Sequence, residues 1–318
     1  MSIDENLFKV IQKEFPRADW VALVDLHGSI AYPMIEVFNG LLHKKSANYD
    51  DGKIPKLLLI LDTDGGNLSA SRAIAKLIKQ YCLSYEAVVV KRAMSSGTLL
   101  ALAADKIWMT PEAVLGPIDP TITNFSFQNK QLPVSVEDLR IFFSDVQTSV
   151  SVKEEAITKI IRTYDPIVLG QALRARKQIR MTAREFLENK LPESQLNNTL
   201  DLLIGGWGTH GNPVTREDAK DVFHLPIDYI EESAACELRK LLTIYRGKLS
   251  DINDFEIVEK MKEVGVGQSK NISVRPVLIA SEKGNIDSWV LTRKFCKIGS
   301  GDLAIQFIGS EDNWETMS

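Results

Sequence analysis

The sequence has few cysteines and no excess of positive charge. Its three cysteines, Cys82, Cys236 and Cys296, are far apart and lack the spacing of a metal site. We therefore expect no disulfide framework and a reducing compartment, the cytoplasm. The net charge of -4 weakly disfavours nucleic acid as the main partner, because proteins that bind it present a basic surface.

Long apolar runs are missing as well. No stretch reaches the roughly 18 apolar residues that a membrane span needs, and the N-terminal residues 1–15 lack the apolar core of a secretory signal. With 44% hydrophobic and 25% charged residues, the composition is that of an ordinary soluble globular protein. We expect a cytoplasmic chain without a membrane span.

The sequence does contain a regular alternation of buried strands and helices. Four apolar runs of strand length alternate with helix-like segments, and they cover Trp20–Leu26, Lys56–Asp62, Ala87–Val90 and Lys106–Met109. This alternation predicts right-handed βαβ crossovers. The expected fold class is therefore α/β with a mainly parallel sheet.

Beyond Pro120 the character of the chain changes. Residues 121–133 predict an irregular polar loop, and residues 135–187 predict a charged helical arm. After residue 245, two strand-type runs around Gly284-Asn285 predict either a hairpin that closes a small appended module or strands that pack on the core, and the last ten residues are expected to fray. We divide the chain into one domain over residues 1–245 and a small C-terminal extension over residues 246–318.

Two turns with unusual chemistry follow the central strands. Asp64-Gly65-Gly66 leaves backbone N–H groups at the positive end of a helix, where an oxyanion could bind, although glycines also serve simple tight turns. Met94-Ser95-Ser96-Gly97 places a serine at a sharp strand-to-helix junction, as in a nucleophile elbow, although either serine could merely cap the helix. Both turns should lie at one sheet edge, and together they favour catalysis.

The residues of these turns resemble a known superfamily. The segments LDTDGGN and AMSSGTLLALAADKIWMTPEAVLGPIDP are similar to Clp proteases and crotonases, and most of all to the serine dehydrogenase proteinase family. Signal peptide peptidase A has the same order of elements, and GGWGTHGNPVTREDAKDVFHLPI also resembles the proteinase family. The resemblance covers roughly Val21–Ile227. It implies a Clp/crotonase-like ββα spiral, a serine protease domain over residues 1–245 and a homo-oligomer.

The resemblance also implies a role for each candidate site residue. Ser95 would be the nucleophile, and the backbone N–H groups of Gly66 and Ser96 would form the oxyanion hole. His210 would be the general base and Asp119 its orienting acid, since imidazole accepts a proton near pH 7 and a carboxylate fixes its tautomer. The implied reaction is cleavage of peptides or unfolded proteins through an acyl-enzyme on Ser95, with no ATPase domain in this chain, no metal and no cofactor.

Alternatives remain for several of these roles. Ser96 is a rival nucleophile, and Asp119 before Pro120 could be only a turn residue. Lys130 could act as the base in a Ser–Lys dyad, as in several relatives, if desolvation lowered its pKa. His27, at the end of the first strand, is a rival base.

Two other functions are also compatible with the pattern. A crotonase-type acyl-CoA enzyme would use paired backbone N–H groups to hold a thioester enolate. The serine turn and the missing glutamate in these turns weigh against it. A non-catalytic interaction or scaffold protein with the same fold would retain its function when Ser95 is changed to alanine.

Overall fold

The structure is a computed structural model of the chain. It describes residues 20–26, 30, 32–127, 130–138, 140, 141, 144, 166–208, 212–248, 264, 266, 268–280, 286–297 and 305–317. The spacing of apolar residues over 4–15 predicts a short amphipathic helix, and this segment lies outside the described ranges.

Strands and helices alternate through the first half of the described chain. The strands are β1 (Trp20–Leu26), β2 (Ile54–Thr63), β3 (Cys82–Ala93), β4 (Lys106–Met109), β5 (Val114–Leu115), β6 (Thr121–Phe127), β7 (Lys130–Ser135), β8 (Val214–Thr215), β9 (Ile227–Tyr229), β10 (Ser269–Ala280), β11 (Ile286–Lys297) and β12 (Ile305–Met317). The helices are α1 (Pro33–Ser46), α2 (Leu68–Tyr81), α3 (Ser96–Ala103), α4 (Pro166–Leu187), α5 (Glu193–Asp201), α6 (Arg216–Asp221) and α7 (Glu232–Lys248). A π-helical turn over Leu202–Gly206 follows α5.

One large sheet organises the fold. Its strand order is β12-β11-β10-β1-β2-β3-β4-β9, and β5 and β8 extend it beside the end of β3. Strands β1 to β4 and β9 run parallel, which confirms the α/β class and the mainly parallel sheet. Residues Leu57–Leu61 of β2 are buried at every position, as expected of a strand that is covered on both faces.

Helix α2 begins where the sequence predicts. The Asn67 side chain caps its start by accepting a hydrogen bond of 2.9 Å from the backbone N–H of Ala70. The apolar positions Ala70, Ile74 and Ile78 recur at helical spacing, and all three are buried. This face packs in the same apolar core as α1 and α3, which places the start of α2 next to the end of β2.

Helix α3 is buried at each of its eight positions, as the sequence predicts. Its residues are small or aliphatic, so neighbouring backbone can approach closely. A Cβ on Gly97 would lie 2.4 Å from Cγ2 of Thr63, so only glycine fits there. The close approach draws the start of α3 against the end of β2.

Two predictions for the chain beyond Pro120 are wrong. The polar loop expected over residues 121–133 is instead an antiparallel pair, β6 and β7. Its alternating β-branched and aromatic residues in TITNFSF have strand propensity, which the polar residues between them obscure. Residues 309–317 do not fray, because β12 pairs with β11 as far as Met317.

The predicted C-terminal hairpin is confirmed, because β10 and β11 pair antiparallel. These strands also join the large sheet, since β10 pairs with β1. The domain division at residue 245 stays a prediction. Among the described residues, no helix is both long and apolar enough to cross a membrane.

Candidate active site

The Gly-Gly turn after β2 and the serine turn after β3 touch each other. A Cβ on Gly65 would lie 2.6 Å from the carbonyl oxygen of Met94 and 3.0 Å from Cβ of Ser95. Thr63 holds both turns, because its Oγ1 accepts a 3.0 Å bond from the Gly65 N–H and its carbonyl accepts one of 3.0 Å from Met94 N–H. Gly65 has φ +101°, so glycine is required here by both conformation and space.

Gly66 is fixed by a short bridge to Ile30. The Ile30 N–H donates to the Gly65 carbonyl at 2.7 Å, and the Ile30 carbonyl accepts from Asn67 N–H at 2.7 Å. In such a parallel bridge the residue between the two bonded neighbours directs its own N–H to the opposite side. The Gly66 N–H therefore faces away from Ile30. A Cβ on Gly66 would lie 2.4 Å from Ile30 N, so no other residue fits.

Ser95 is held in an unusual backbone conformation. Its φ is 49° and its ψ is -117°, a region that non-glycine residues adopt only under strain. Ser95 occupies the position before the first residue of α3, but its side chain makes no capping hydrogen bond. A simple capping role is thus excluded for this serine. A strained serine whose hydroxyl does not cap the helix, at a strand-to-helix turn, is the arrangement of a nucleophile elbow.

Ser96 is the first residue of α3 and is only 2% exposed. Its Oγ has no hydrogen-bond partner among the described residues. Its burial disfavours the hydroxyl as a nucleophile for an external substrate. Its backbone N–H belongs to the first turn of α3, where N–H groups lack partners within the helix and carry the positive end of the helix dipole.

Thr98 ties the serine turn to the strand that follows. Its buried hydroxyl lies 2.6 Å from the Ala93 carbonyl and 2.8 Å from the Gly116 carbonyl, and it accepts a bond of 3.1 Å from Gly116 N–H. A Cβ on Gly116 would in turn lie 2.8 Å from Cε of Met94. The chain after β5 therefore passes directly against the residue before Ser95.

Asp119 follows three residues later and is 5% exposed. Its Oδ2 accepts a 2.9 Å hydrogen bond from the Ser135 hydroxyl, and Ser135 Oγ accepts one of 3.1 Å from Glu137 N–H. The Glu137 carboxylate is buried as well and pairs with Arg140 at 2.6 Å and with Arg176. A buried, bonded carboxylate does more than end a turn, so the reading of Asp119 as a simple turn residue is disfavoured.

The structure does not describe the side chains of the candidate bases. His210 and His27 lie outside the described residues, as does the side chain of Lys130, although its backbone begins β7. The two described histidines belong elsewhere: His43 lies in α1, with its ring against Tyr81, and His224 follows α6. The structure therefore brings the Gly65-Gly66 turn against Ser95, while the catalytic roles of Gly66, Ser95 and Ser96 and the identity of the base stay predictions.

Sequence reasoning missed two residues that support the site. Thr98 could have been noticed, because it follows the Ser-x-Gly pattern directly in the buried start of α3. Ser135 carried no such signal, since its contact with Asp119 depends on the pairing of Thr121 with Ser135 across β6 and β7. That pairing was not predicted.

A mainly parallel α/β sheet with touching glycine and serine turns at one strand edge is the architecture of the ClpP-like group of proteins. The chain belongs to the family of ClpP-like SDH-type serine proteinases, whose model matches residues 45–263. The family that the sequence motifs predicted is confirmed.

Two curated relatives are uncharacterized proteins of Methanocaldococcus jannaschii. One is 31% identical over 188 residues, which cover 59% of this chain and 58% of the relative. The other is 28% identical over 164 residues, which cover 52% of this chain and 49% of the relative. The chain thus spans about half the length of these relatives.

Solved structures show similarity at lower identity. ClpP1 from Listeria monocytogenes is 14% identical with a TM-score of 0.41, over 73% of this chain and 97% of that one. A mutant of the 1510-N membrane-bound stomatin-specific protease, solved with a substrate peptide, is 17% identical with a TM-score of 0.42, over 70% of this chain and 80% of that one.

Proposed function

We propose that the protein is a serine peptidase that cleaves peptides or unfolded protein segments through an acyl-enzyme on Ser95. The observation that carries the proposal is the backbone of Ser95: φ is 49°, the hydroxyl makes no cap bond, and the Cβ lies against the Gly65 turn. Membership in a serine proteinase family supports the same conclusion. No metal or cofactor is assigned a role in this reaction.

The proposed chemistry proceeds in two halves. Ser95 Oγ attacks the carbonyl carbon of the scissile bond while a general base takes its proton, and the resulting oxyanion accepts hydrogen bonds from the N–H groups of Gly66 and Ser96. The C–N bond then breaks, and the base returns the proton to the leaving amine. Water attacks the acyl ester in the same way and regenerates the Ser95 hydroxyl.

Asp119 and a separate base complete the proposed site. His210 is the first candidate, with the buried Asp119 carboxylate orienting its imidazole. Lys130 is the second, acting as a neutral amine in a Ser–Lys dyad. Lys130 begins β7, the same strand that ends at Ser135 beside Asp119, which keeps the second candidate open.

The proposed peptidase function also leads to a proposal for the compartment and the assembly of the protein. We propose a cytoplasmic homo-oligomer that acts on peptide segments and needs neither nucleic acid nor a membrane span. A closed assembly would keep folded neighbours away from the active serine. Sedimentation at micromolar concentration tests the assembly, and a monomer there would contradict it.

Labelling with a fluorophosphonate tests the nucleophile. The wild-type protein should be labelled, and the Ser95→Ala variant should not, while Ser84→Ala, a matched change at a strand position away from the site, should label as wild type does. Equal labelling of wild type and Ser95→Ala would overturn the proposal. Labelling that persists in Ser95→Ala and disappears in Ser96→Ala would move the nucleophile to Ser96.

A peptide library then separates the two bases. Removal of the true base should lower kcat by about 10²–10⁴-fold, so the comparison is between His210→Ala and Lys130→Ala on the best library substrate. If only His210→Ala is impaired, the Ser-His-Asp reading stands, and if only Lys130→Ala is impaired, the dyad replaces it. Full activity in both variants would exclude both assignments.

A further inference from the structure

A cleft of about 460 Å³ lies between α2 and α4. Arg72 from α2 and Arg174, Lys177, Met181 and Glu185 from α4 line it. The lining contains three cationic side chains and one carboxylate, although the net charge of the chain is -4. A cationic cleft on an acidic protein focuses a positive potential that attracts anions.

The negative charge of the single carboxylate in the cleft, that of Glu185, is already balanced by ion pairs. Glu185 pairs with Arg72 at 2.9 Å and with Lys76, and the hydrogen bonds from these two side chains, that from Lys76 first, hold the pKa of Glu185 below its usual range. Arg174 and Lys177 are exposed, and within the described ranges neither has a carboxylate at ion-pair distance. Two positive charges are therefore available to a ligand.

The cleft starts close to the candidate active site. Gln178 of α4 donates a 3.3 Å hydrogen bond to Ser69 Oγ in the first turn of α2, and Ser71 Oγ donates one of 2.6 Å to the Ser96 carbonyl. Arg72 follows Asn67 by five residues in the same helix, which is about 7.5 Å along the axis. An extended peptide advances about 3.3 Å per residue. A side chain roughly two to four residues from the scissile bond would reach the cleft.

We propose that this cleft, formed by Arg72, Arg174 and Lys177, binds acidic side chains of an extended peptide substrate on one side of the scissile bond. The inference rests on the proposed peptidase function for its biological meaning. The guanidinium and ammonium groups supply the charge complementarity for a carboxylate. The exposed Met181, 63% accessible, lies beside them and offers an apolar contact for the stem of a glutamate.

The kinetic test compares matched fluorogenic peptides that carry glutamate or glutamine at each position from two to four residues on either side of the cleaved bond. Wild-type protein should prefer glutamate by about three- to tenfold in kcat/KM at low salt, at one or more of these positions. The preference should decline at high ionic strength. In the double variant Arg174→Gln/Lys177→Gln the glutamate-to-glutamine ratio should fall to about one. This variant breaks no ion pair among the described residues.

The control removes the same amount of charge elsewhere. Lys44→Gln/Lys240→Gln changes two exposed lysines on α1 and α7 and should keep the wild-type ratio. Loss of the ratio in this control would mean that net charge, not the cleft, selects the substrate. Thermal unfolding of both double variants checks that each is folded.

A binding test with the Ser95→Ala variant examines peptide binding in the cleft independently of hydrolysis. Ser95→Ala protein should bind the glutamate peptide more tightly than the glutamine peptide, and the added changes Arg174→Gln and Lys177→Gln should abolish the difference. If binding behaves so but no peptide is hydrolysed, the cleft assignment holds and the peptidase proposal fails. Hydrolysis or binding with no glutamate preference would overturn the cleft assignment. Tighter binding of a single-stranded oligonucleotide than of the glutamate peptide would overturn it as well.

Discussion

Ser95 is one of two non-glycine residues with a positive φ in the described part of the chain, the other being His224. A positive φ on a non-glycine residue costs of the order of 1–3 kcal/mol and persists only where neighbouring contacts enforce it. Those contacts are on the two sides of the turn: Gly65 leaves room for Ser95 Cβ, and Gly97 N–H donates to the Met94 carbonyl at 2.8 Å. In this strained conformation the Ser95 hydroxyl lies at the edge of the sheet and makes no capping hydrogen bond to α3.

This strain predicts an unusual order of stability among variants. The free energy of unfolding should be about 1 kcal/mol higher for Ser95→Gly than for Ser95→Ala. Glycine adopts a φ of 49° freely, and alanine does not. Both variants lack the hydroxyl and should be inactive. Urea unfolding at equilibrium measures the difference.

A matched pair gives the control for that comparison. At Ser233, an exposed position in α7, alanine should be more stable than glycine by about 0.5–1 kcal/mol, the ordinary helical order. If alanine is also the more stable residue at position 95, the serine turn is not strained.

Residue-level prediction succeeded where a local pattern fixes the geometry. The Gly-Gly turn and the serine turn are short motifs whose geometry needs only the neighbouring strand and helix, and Gly65 lies against Cβ of Ser95. The partner of Asp119 could not be predicted in the same way. Its bond to Ser135 joins positions 16 residues apart in the chain, and it forms only because β6 and β7 pair.

Among the elements, α3 is the one that the site depends on, since it begins at Ser96 and supplies the helix dipole. Its buried C-terminal end needs a partner, because terminal carbonyls lack intrahelical donors. Lys190, in the turn after α4, supplies it: Nζ donates to the Leu102 carbonyl at 2.6 Å and also to the Ala104 carbonyl. The helix that follows the proposed nucleophile Ser95 is thereby held at its C-terminal end as well as at the serine turn.

Lys190 predicts a pH dependence of stability. Burial, with a smaller contribution from Lys79, lowers the pKa of Lys190 to about 8, whereas a lysine in the unfolded chain titrates near 10.4. Between these values the unfolded chain binds more protons, so the free energy of unfolding rises with pH. The hydrogen bonds to the carbonyl groups favour the charged form and offset part of the effect. We expect a rise of about 1 to 2 kcal/mol between pH 7.5 and 9.5.

Urea unfolding of the wild-type and variant proteins across that pH range tests whether Lys190 causes the rise in stability. Lys190→Met should lose the rise, and Lys44→Met, an exposed lysine of α1, should keep it. Parallel curves for wild type and Lys190→Met would refute the role of Lys190. The range stops at pH 9.5 because burial raises the pKa of Tyr85 well above its usual value, which lowers stability at higher pH.

Helices and strands were predicted correctly where their apolar residues recur at a regular spacing. The continuous apolar run of β2 and the helical spacing in α2 were identified because each buries a complete face. Strands β6 and β7 were missed because polar residues alternate with the aromatic ones, so hydropathy alone indicated a loop. Residues 191–204, before Gly205-Gly206, have the pattern of one helix, but the structure has α5 followed by a π-helical turn over Leu202–Gly206. There the Glu137 side chain occupies the space that a Cβ on Gly205 would need.

At the scale of the whole molecule, the large sheet has a parallel part and an antiparallel part. The parallel strands β1 to β4 and β9 carry the site at their carboxyl edge, whereas β10 to β12 extend the sheet from the β1 side by antiparallel pairing. The sequence left open whether this tail forms a separate module or packs on the core, because strand pairing between residues 21–23 and 278–280 depends on long-range packing. The family match ends at residue 263, before the tail strands begin.

Truncation after Lys248 tests whether the tail is a separate domain, as the division at residue 245 predicts, or part of the sheet. Because β10 satisfies the backbone of β1 through the pairs Val21↔Ala280 and Leu23↔Leu278, its removal would leave a bare edge strand that invites self-association. We expect the truncated chain to lose about 2–4 kcal/mol of stability, or a Tm lower by about 5–10 °C, and to form larger species than the full chain in light scattering. Retention of the full-chain Tm together with an unchanged particle size would show that residues 1–248 fold independently, and the sheet contact between β1 and β10 would then contribute little to the fold.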